Sequence, residues 1–438
     1  MRIPAFKEVR GFLAESCRQL LEKPIYSGAI SVYGAGVRIA ALKNNKARLL
    51  AKGQKDVWRY LEHNIDQSAR YIWIHAASLG EFEQGRPLIE KIRKEKPEYK
   101  ILVTFFSPSG YEVRKNYAGA DSVCYLPLDT PKRVRRFLDI VKPEMAIFVK
   151  YEFWRNYLHE LWRRQVSVYL ISAVFRPNQF FFKKRSAWYG LWLKWYTRIF
   201  VQDERSRELL RGIGVDNVDV CGDTRFDRVT DIRSACKEIP LLAAFTSHNS
   251  PGHAPVMMAG SSWPEDEAVY AGWFNAHPEV KLVIAPHEFD AHRLESLKKI
   301  FRHGAVLMSE AQKDPSELEG KQVLIIDCFG LLSSAYSYCD IAYVGGGFGA
   351  GMHNINEAAV YDVPVIYGPN NSKFIEAREM AASEGGLPIA SKEEFEKIAD
   401  KLFSDSSERA RRGHRAGEYI RSKLGATDKI FDRIFLSE

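Results

Sequence analysis

The segment best suited to hold a nucleotide is a glycine run that ends in polar residues. Residues 345–354 read GGGFGAGMHN, so five glycines fall within seven positions, directly after an apolar, strand-like stretch. Glycine lets a ligand approach the backbone closely and leaves N–H groups to donate to it. We expect His353 and Asn354 to begin a helix whose N-terminus favours a phosphate. Glu357 would then lie one turn in, where a carboxylate accepts from ribose hydroxyls.

Polar residues also follow two other strand-like stretches. Ser261 and Ser262 come at the end of Val256–Gly260 and precede a helical pattern, which makes them a plausible phosphate seat. His287 follows Lys281–Ala285, and it is either a ligand contact or an ordinary surface histidine.

Two carboxylates occupy the same kind of position in the first half of the chain. Glu81 ends the motif SLGE after Tyr71–Ala76, and Glu152 lies in YEFW after Met145–Val149. A carboxylate at the carboxyl end of a strand can act as a general base toward an acceptor hydroxyl. The alternative for Glu81 is a first-turn helix acid that is favoured by the helix dipole, with Ser78 as the cap.

Several familiar signatures are missing from the sequence. It has no GxxxxGK[ST] loop and no early GxGxxG followed by an acid about 20 positions later, which argues against an NTPase or a dehydrogenase. No HExxH, DxD-like or clustered His/Cys pattern occurs, so we expect no metal site. The six cysteines form no CxxC pair, and we interpret them as free thiols.

Short apolar strands alternating with amphipathic helices must position these residues. The predicted strands of the first half are Tyr71–Ala76, Ile101–Phe106, Val123–Leu126, Met145–Val149, Val166–Ile171, Arg198–Val201 and Val218–Cys221. Those of the second half are Val256–Gly260, Lys281–Ala285, Ala305–Met308, Val323–Ile326, Ile341–Val344 and Pro364–Tyr367. Such strands indicate parallel sheets covered on both faces, whose ligands bind outside the carboxyl ends of the strands. The predicted fold class is therefore α/β, with two doubly wound, Rossmann-like domains facing across a cleft.

The length of 438 residues suits two domains, and a breaker-rich stretch after residue 223 separates the halves. We predict a basic N-terminal segment at 1–64 and an N-terminal, acceptor-binding domain at 65–228. A linker at 229–254 then leads to a C-terminal, nucleotide-sugar-binding domain at 255–438.

The N-terminal segment is basic and partly apolar. Residues 1–64 contain twelve Lys/Arg and five Asp/Glu, so 12 − 5 = +7 of the net charge of +8 lies there. This charge favours an anionic neighbour, and nucleic acid and anionic lipid both fit. The stretch Ile25–Leu42 is too short for a confident spanning helix, so it either contacts the bilayer as a monotopic segment or packs on the first domain.

The helical face with Trp188, Trp192 and Trp195 is a second candidate membrane interface, and its alternative is a core-facing helix.

Taken in order, the motifs resemble one family, the 3-deoxy-D-manno-octulosonic acid (Kdo) transferases of lipopolysaccharide biosynthesis. The matching landmarks are HAASLGE at 75–81, TFFSPSG at 104–110, YLPLD at 125–129, YEFW at 151–154, GDTRFD at 222–227, GSSW at 260–263, DCFG at 327–330, GGGFGAGMHNINEAA at 345–359 and PVIYGP at 364–369. The resemblance implies a GT-B fold and an inverting, metal-free transfer of Kdo from CMP-Kdo to a lipid A precursor, lipid IVA. It also implies a membrane-associated N-terminal segment at the cytoplasmic face of the inner membrane, acting as a monotopic or single N-terminal anchor on an anionic surface. No nucleic acid partner is expected.

The resemblance also assigns roles to residues. Glu81 falls on the catalytic base of the family and Glu152 on its second cleft acid. The expected donor-binding residues are Ser261, Ser262, His287, Gly346, Gly347, His353, Asn354 and Glu357. Many members carry Pro-Arg-His where this chain has Pro286-His287-Glu288, so a donor-binding arginine is absent or supplied elsewhere.

Two other interpretations stay open. Another GT-B enzyme, such as a UDP-sugar lipid transferase or a nucleotide-sugar epimerase, would share the glycine run and Glu357 but prefer UDP over CMP. A non-catalytic anionic-lipid-binding protein would explain the basic N-terminal segment and would bind no nucleotide.

Overall fold

The computed structural model describes the backbone of residues 6–183, 189–247, 253–349 and 351–436, and side chains from residue 23 onward. Trp188 and residues 248–252, which are part of the breaker-rich stretch between the halves, lie outside the described residues. The chain forms two compact units, Met1–Asp227 with Gly425–Glu438, and Arg228–Leu424. The predicted α/β class with two parallel-sheet domains is confirmed.

The first unit is built on a seven-stranded parallel sheet. Its strands are β1 (Arg70–Ala76), β2 (Tyr99–Phe105), β3 (Ser122–Tyr125), β4 (Met145–Val149), β5 (Ser167–Ala173), β6 (Arg198–Val201) and β7 (Val218–Val220). Their spatial order is β3-β2-β1-β4-β5-β6-β7, so the connections reverse direction between β1 and β4. Such a reversal is the switch point at which doubly wound sheets bind their ligands.

Helices cover both faces of this sheet, because alternate strand residues reach two separate apolar cores. Trp73 lies in one core, whereas Ile72 and Ile74 lie in the other. The helices of this unit are α1 (Phe6–Ala40), α2 (Asn45–Asn64), α3 (Leu79–Glu95), α4 (Pro108–Arg114), α5 (Pro131–Val141), α6 (Arg155–Arg163), α7 (Gly190–Leu193), α8 (Glu204–Arg211) and, after the second unit, α19 (Ala426–Phe435), with a 3-10 turn at Phe180–Phe182.

The second unit repeats the architecture. Its strands are β8 (Val256–Ser262), β9 (Lys281–Pro286), β10 (Ala305–Leu307), β11 (Val323–Ile325), β12 (Ile341–Val344), β13 (Val365–Tyr367) and β14 (Gly386–Pro388). They form a parallel sheet in the order β10-β11-β9-β8-β12-β13-β14, so its switch point lies between β8 and β12.

Helix α9 (Thr224–Ser234) connects the two units. The helices of the second unit are α10 (Pro240–Thr246), α11 (Pro264–Ala276), α12 (Ala291–Ile300), α13 (Met308–Ala311), α14 (Leu332–Ala335), α15 (Asn356–Ala359), α16 (Ile375–Ala382), α17 (Lys392–Ser404) and α18 (Ser406–Ser422), with 3-10 turns at Pro315–Leu318 and Tyr336–Tyr338.

The part of the predicted N-terminal segment 1–64 that forms α2 is not separate from the first domain. Val57 and Leu61 of α2 lie in the same core as Trp73 of β1. The Gln54 side chain also links α2 to the chain after β3, because its Nε2 donates to the Leu126 carbonyl at 2.6 Å and its Oε1 accepts from the Leu128 N–H at 2.9 Å. Helix α2 is therefore an integral part of the first unit.

Helix α1 packs on the first unit with one side only. The Tyr26 hydroxyl donates to Asp129 at 2.8 Å, and the Tyr33 ring stacks on Phe106 with centroids 6.0 Å apart. On its other side, three apolar residues seven positions apart are largely exposed: Ile25 (72%), Val32 (73%) and Ile39 (70%). No helix in the described ranges is both long enough and apolar enough to cross a bilayer.

The C-terminal boundary and the linker differ from the prediction. Ile430, Phe431 and Ile434 of α19 lie in the core that contains Ile72, so the last helix belongs to the first unit and not to the predicted domain 255–438. The predicted linker 229–254 is also largely helical, since α9 continues to Ser234 and α10 packs in the second unit with Leu242 and Phe245 buried. Helices this short contain too few apolar positions for their periodicity to be recognised from the sequence alone.

Candidate active site

Glu81 lies at the switch point of the first sheet, as the third residue of α3. Its Oε2 accepts from the Ser78 backbone N–H at 2.8 Å and from the Ser78 hydroxyl at 2.7 Å, so the helix-capping contact exists. Within the described part of the chain no group hydrogen-bonds to Oε1, and the side chain is half-buried. The carboxylate can therefore cap the helix and still take a proton from an acceptor hydroxyl.

Tyr151, which follows β4 at the same edge of the sheet, is close to charged groups of both signs. Burial raises the pKa of its phenol, and Arg176, Glu81 and Arg225 all act on it electrostatically. Arg225 in turn pairs with Asp223, with Nε 2.8 Å from Oδ2.

Glu152 is buried, in contrast to the open cleft acid that its position in the sequence suggests. Only 3% of the residue is exposed, and its Oε2 lies 2.9 Å from the Nε2 of the fully buried His75. The Trp154 indole N–H also donates to this oxygen. On the far side of the ring, His75 Nδ1 lies 2.9 Å from the Thr104 hydroxyl.

The network continues through Thr104. The Trp73 indole N–H donates to Thr104 Oγ1 at 2.8 Å, and His75 Nδ1 also lies 3.0 Å from the Thr104 carbonyl oxygen. Since a carboxylate only accepts, His75 donates to Glu152 through Nε2. The carboxylate consequently holds together the carboxyl ends of β1, β2 and β4, and we assign it a positioning role beside Glu81 instead of direct contact with substrate.

Replacing Glu152 with glutamine should lower the unfolding free energy of the first unit by about 1–3 kcal/mol, because the amide cannot accept from both N–H donors at one oxygen without burying its own NH₂ group unpaired. Urea unfolding followed by circular dichroism measures the change. Glu144→Gln, which alters an exposed pair with Arg70, is the control and should change stability less. Unchanged stability of Glu152→Gln would contradict the positioning role.

The glycine run forms a tight turn at the switch point of the second sheet. Gly346 has φ +86°, and a Cβ there would lie 2.3 Å from the Gly351 carbonyl oxygen. A Cβ on Gly347 would lie 2.6 Å from the Gly368 backbone. Both positions therefore require glycine, and the reason is backbone packing within the protein as well as any approach of a ligand.

The helix after the glycine run begins later than predicted. His353 and Asn354 precede it, and the first helical residue is Asn356 of the one-turn helix α15. The delay arises because the His353 N–H donates back to the Gly345 carbonyl at 3.1 Å, which keeps the chain in the turn. Any phosphate affinity must then come mainly from side chains and turn N–H groups, since so short a helix contributes little dipole.

Asp266, the third residue of α11, organises this turn. The residue is fully buried, and its Oδ2 accepts from the N–H groups of Gly346 at 2.8 Å and Trp263 at 3.0 Å. Its Oδ1 accepts from the Tyr343 hydroxyl at 3.0 Å. Burial raises the pKa of Asp266, and these three hydrogen bonds oppose the rise. The signal in the sequence is an acid three residues after Trp263, the position of a capping-box acid.

His353 and His287 come together beside the glycine turn. Their ring centroids are 4.4 Å apart, and Trp263 stacks on His287 at 4.7 Å. The Trp263 indole N–H donates to His353 Nε2 at 3.1 Å, so a neutral His353 carries its proton on Nδ1. The cluster thus presents a neutral N–H donor next to Gly346.

Burial, with His287 as a second cause, lowers the pKa of His353 from 6.5 to about 4. The unfolded chain therefore binds more protons between these values, so stability should fall as pH is lowered from about 6.5 to about 4. His353→Gln should lose less stability than the wild type across this window in urea titrations. His292→Gln, which removes an exposed histidine of the same unit, is the matched control and should keep the wild-type pH dependence. Identical pH dependence in His353→Gln would contradict the assignment.

The remaining predicted donor residues divide into two groups. The Ser262 hydroxyl is buried and lies 2.8 Å from the Tyr270 hydroxyl, so it faces the core and not a ligand. Ser261 turns the chain with φ +51° and lies against Gly345. Both oxygens of Glu357 already have partners, because Asn354 Nδ2 donates at 3.0 Å and the Ser333 hydroxyl donates at 2.7 Å. Asn354 itself is exposed and remains available to a ligand.

Among the described residues, no three His, Cys, Asp or Glu side chains form a group that could hold a metal ion.

Comparison with known proteins first defines the class of fold. The structure superposes on a UDP-GlcNAc 2-epimerase from Neisseria meningitidis bound to UDP-GlcNAc with a TM-score of 0.59 and 14% identity, covering 84% of this chain and 100% of the other. At that identity the likeness concerns the fold alone, and it defines a GT-B-like protein of two parallel-sheet domains.

Sequence comparison then shows which family the chain resembles. Residues 47–228 match the family model described as 3-deoxy-D-manno-octulosonic-acid transferase (kdotransferase). A 3-deoxy-D-manno-octulosonic acid transferase from Haemophilus influenzae is 26% identical over 82% of this chain and 86% of its own length. One from Aquifex aeolicus is 28% identical over 77% of this chain and 87% of its own length. The chain is thus similar to Kdo transferases over most of its length, and it is a glycosyltransferase.

Proposed function

We propose that the protein is a Kdo transferase that takes CMP-Kdo as its donor and a lipid A precursor, lipid IVA, as its acceptor in lipopolysaccharide biosynthesis. The observation that carries the proposal is the place of Glu81, a half-buried carboxylate at the switch point of the first sheet with one oxygen open to a hydroxyl. The match to the family model, which covers this region, supports the same role.

In the proposed reaction, Glu81 Oε1 removes the proton of an acceptor hydroxyl. The hydroxyl oxygen attacks the anomeric carbon of Kdo, and the bond from that carbon to the phosphate oxygen of CMP breaks. CMP leaves with the bonding electron pair, and the configuration at the anomeric carbon inverts. Protonated Glu81 afterwards returns its proton to solvent, so the carboxylate is regenerated.

The second unit is proposed to hold the donor. His353 would donate through Nδ1–H to the phosphate, Asn354 would add a side-chain contact, and His287 would stand where many relatives carry arginine. The turn at Gly346 and Gly347 is fixed by Asp266, which keeps these groups in place before the donor arrives. Because His353 and Asn354 are neutral hydrogen-bond donors, they would hold the phosphate without a full opposite charge. This favours release of CMP after transfer.

We also infer that α1 rests on the cytoplasmic face of the inner membrane. Ile25, Val32 and Ile39 expose a continuous apolar side, and the cations Lys43 and Lys46 follow it directly. Apolar side chains beside lysines are typical of monotopic membrane contact. The opposite side of α1 contacts Phe106 and Asp129 at the carboxyl edge of the first sheet, so membrane contact would bring a lipid acceptor close to Glu81.

Nucleotide selectivity tests the proposal against the other GT-B activities. Isothermal titration of the full-length protein should show binding of CMP that is at least tenfold tighter than binding of UMP or UDP. CMP release from CMP-Kdo should then depend on added lipid A precursor. Preferential binding of UDP would favour a UDP-sugar enzyme, and failure to bind any nucleotide would favour a lipid-binding protein.

A further inference from the structure

A groove of about 410 Å³ lies in the first unit where α1, α2 and the start of α5 meet. Its lining includes three cations, Arg38, Lys55 and Arg133, and no acidic side chain. None of these three residues takes part in the reaction described above.

The fold holds one of the three cations in place. Arg133 Nη1 donates to Gln54 Oε1 at 3.1 Å, and Gln54 itself is buried and tied to the backbone at Leu126 and Leu128. Burial, followed by the nearby charge of Arg38, lowers the pKa of Arg133. The other two cations of the groove are exposed, so the groove combines one fixed guanidinium with two exposed positive charges, and an anion bound there would be attracted to all three.

Apolar side chains form the other wall of the groove. Val37, Leu50 and Trp58 line it, and Leu50 is 6% exposed. Just after the end of α1, the exposed Leu42 (79%) adds a further apolar side chain. A ligand that fits this surface has a phosphate for the cations and a hydrocarbon chain for the wall.

We propose that the groove binds the phosphate of an anionic glycerophospholipid of the surrounding bilayer, with the start of an acyl chain along Val37, Leu50 and Trp58. The groove lies beside β3, the edge strand of its sheet, whereas Glu81 follows β1, two strands away. At about 4.8 Å per strand this separation is on the order of 10 Å. The groove therefore holds a bilayer lipid beside the reaction site and leaves the edge at Glu81 to the acceptor.

Vesicle co-sedimentation of the full-length protein, without donor or acceptor, tests the groove independently of the proposed reaction. Arg38→Gln with Arg133→Gln should bind vesicles of phosphatidylcholine and phosphatidylglycerol about tenfold more weakly than the wild type, because two cations near the surface are lost. Binding to pure phosphatidylcholine should change little. The single variant Arg38→Gln alters an exposed side chain only, so its several-fold loss should occur without any change in melting temperature.

The matched control removes two cations at the opposite edge of the same sheet. Lys94 and Lys142 are exposed and precede the amino ends of β2 and β4, so Lys94→Gln with Lys142→Asn has the same net charge as the groove variant. This control should bind phosphatidylglycerol vesicles as the wild type does. Equal losses in both double variants would show a general charge effect and overturn the proposal.

The acceptor offers a second source of phosphate, and a kinetic assay separates the two. With acceptor dispersed in neutral detergent, the double variant Arg38→Gln with Arg133→Gln should keep the wild-type KM for the acceptor. A raised KM together with unchanged vesicle binding would show that the groove takes a phosphate of the acceptor, and it would overturn the assignment to a bilayer lipid.

Discussion

Replacing Glu81 with glutamine is expected to lower kcat by about 10²–10⁴-fold, the range that a positioned general base contributes. Glutamine keeps an oxygen that can accept from the Ser78 N–H, so α3 remains capped and the fold is preserved. CMP binding should be unchanged, because the donor is assigned to the other unit. Acceptor-dependent CMP release, with CMP affinity measured alongside, provides both quantities.

Glu394 offers a matched control for the capping role of Glu81. It lies in the first turn of α17, and its Oε2 accepts from the Ala390 N–H at 2.7 Å. Glu394→Gln should alter stability about as much as Glu81→Gln and leave kcat at the wild-type value. Equal losses of kcat in both variants, or near-normal turnover in Glu81→Gln, would remove the general-base role.

Replacing Asp266 with alanine is expected to destabilise the second unit by about 3–5 kcal/mol and to abolish donor binding. The change leaves the N–H groups of Gly346 and Trp263 and the Tyr343 hydroxyl buried without their acceptor. The glycine turn then loses the contact that fixes it. Urea unfolding with pulsed hydrogen exchange, read in peptides that contain β8 and β12, isolates the second unit from the first.

The Asp266→Asn variant separates hydrogen bonding from charge. Its oxygen can accept from both N–H groups, and its NH₂ group can donate to the Tyr343 oxygen, so stability should stay within about 1 kcal/mol of the wild type. Glu265→Ala, an exposed neighbour in the same helical turn, should have little effect. Full donor binding by Asp266→Ala would show that the turn does not depend on this carboxylate.

The sequence predicts most strands of the two sheets because these stretches are apolar wherever the folded strand is buried. Stretches such as Met145–Val149 are apolar at every position, and in the structure all five of these residues are buried between two layers of helices. The strand Gly386–Pro388 escapes prediction because glycine and proline give it no apolar pattern. The return of α19 to the first unit also escapes, since its Ile430 and Phe431 contact residues more than three hundred positions away.

The sequence predicts where the site residues lie relative to the strands, but not the direction in which their side chains point. Glu81, Gly346 and His353 follow the strands that meet at the two switch points, and Ser261 lies at the end of one of them. The order of the motifs in the sequence is enough to place them there. Whether a side chain faces ligand or core depends on neighbours that the sequence brings together only on folding. Ser262 turns toward Tyr270, and Glu152 is buried against His75, which lies in the motif HAASLGE.

Mass spectrometry of the lipid product tests the central claim most directly. Wild-type protein incubated with CMP-Kdo and a tetra-acylated lipid A precursor should yield lipid that is heavier by one or more Kdo residues, with one CMP released for each. The Glu81→Gln variant, at the same concentration and time, should leave the lipid essentially unmodified. An unchanged lipid with the wild-type protein, together with sugar transfer from a UDP-linked donor, would contradict the account.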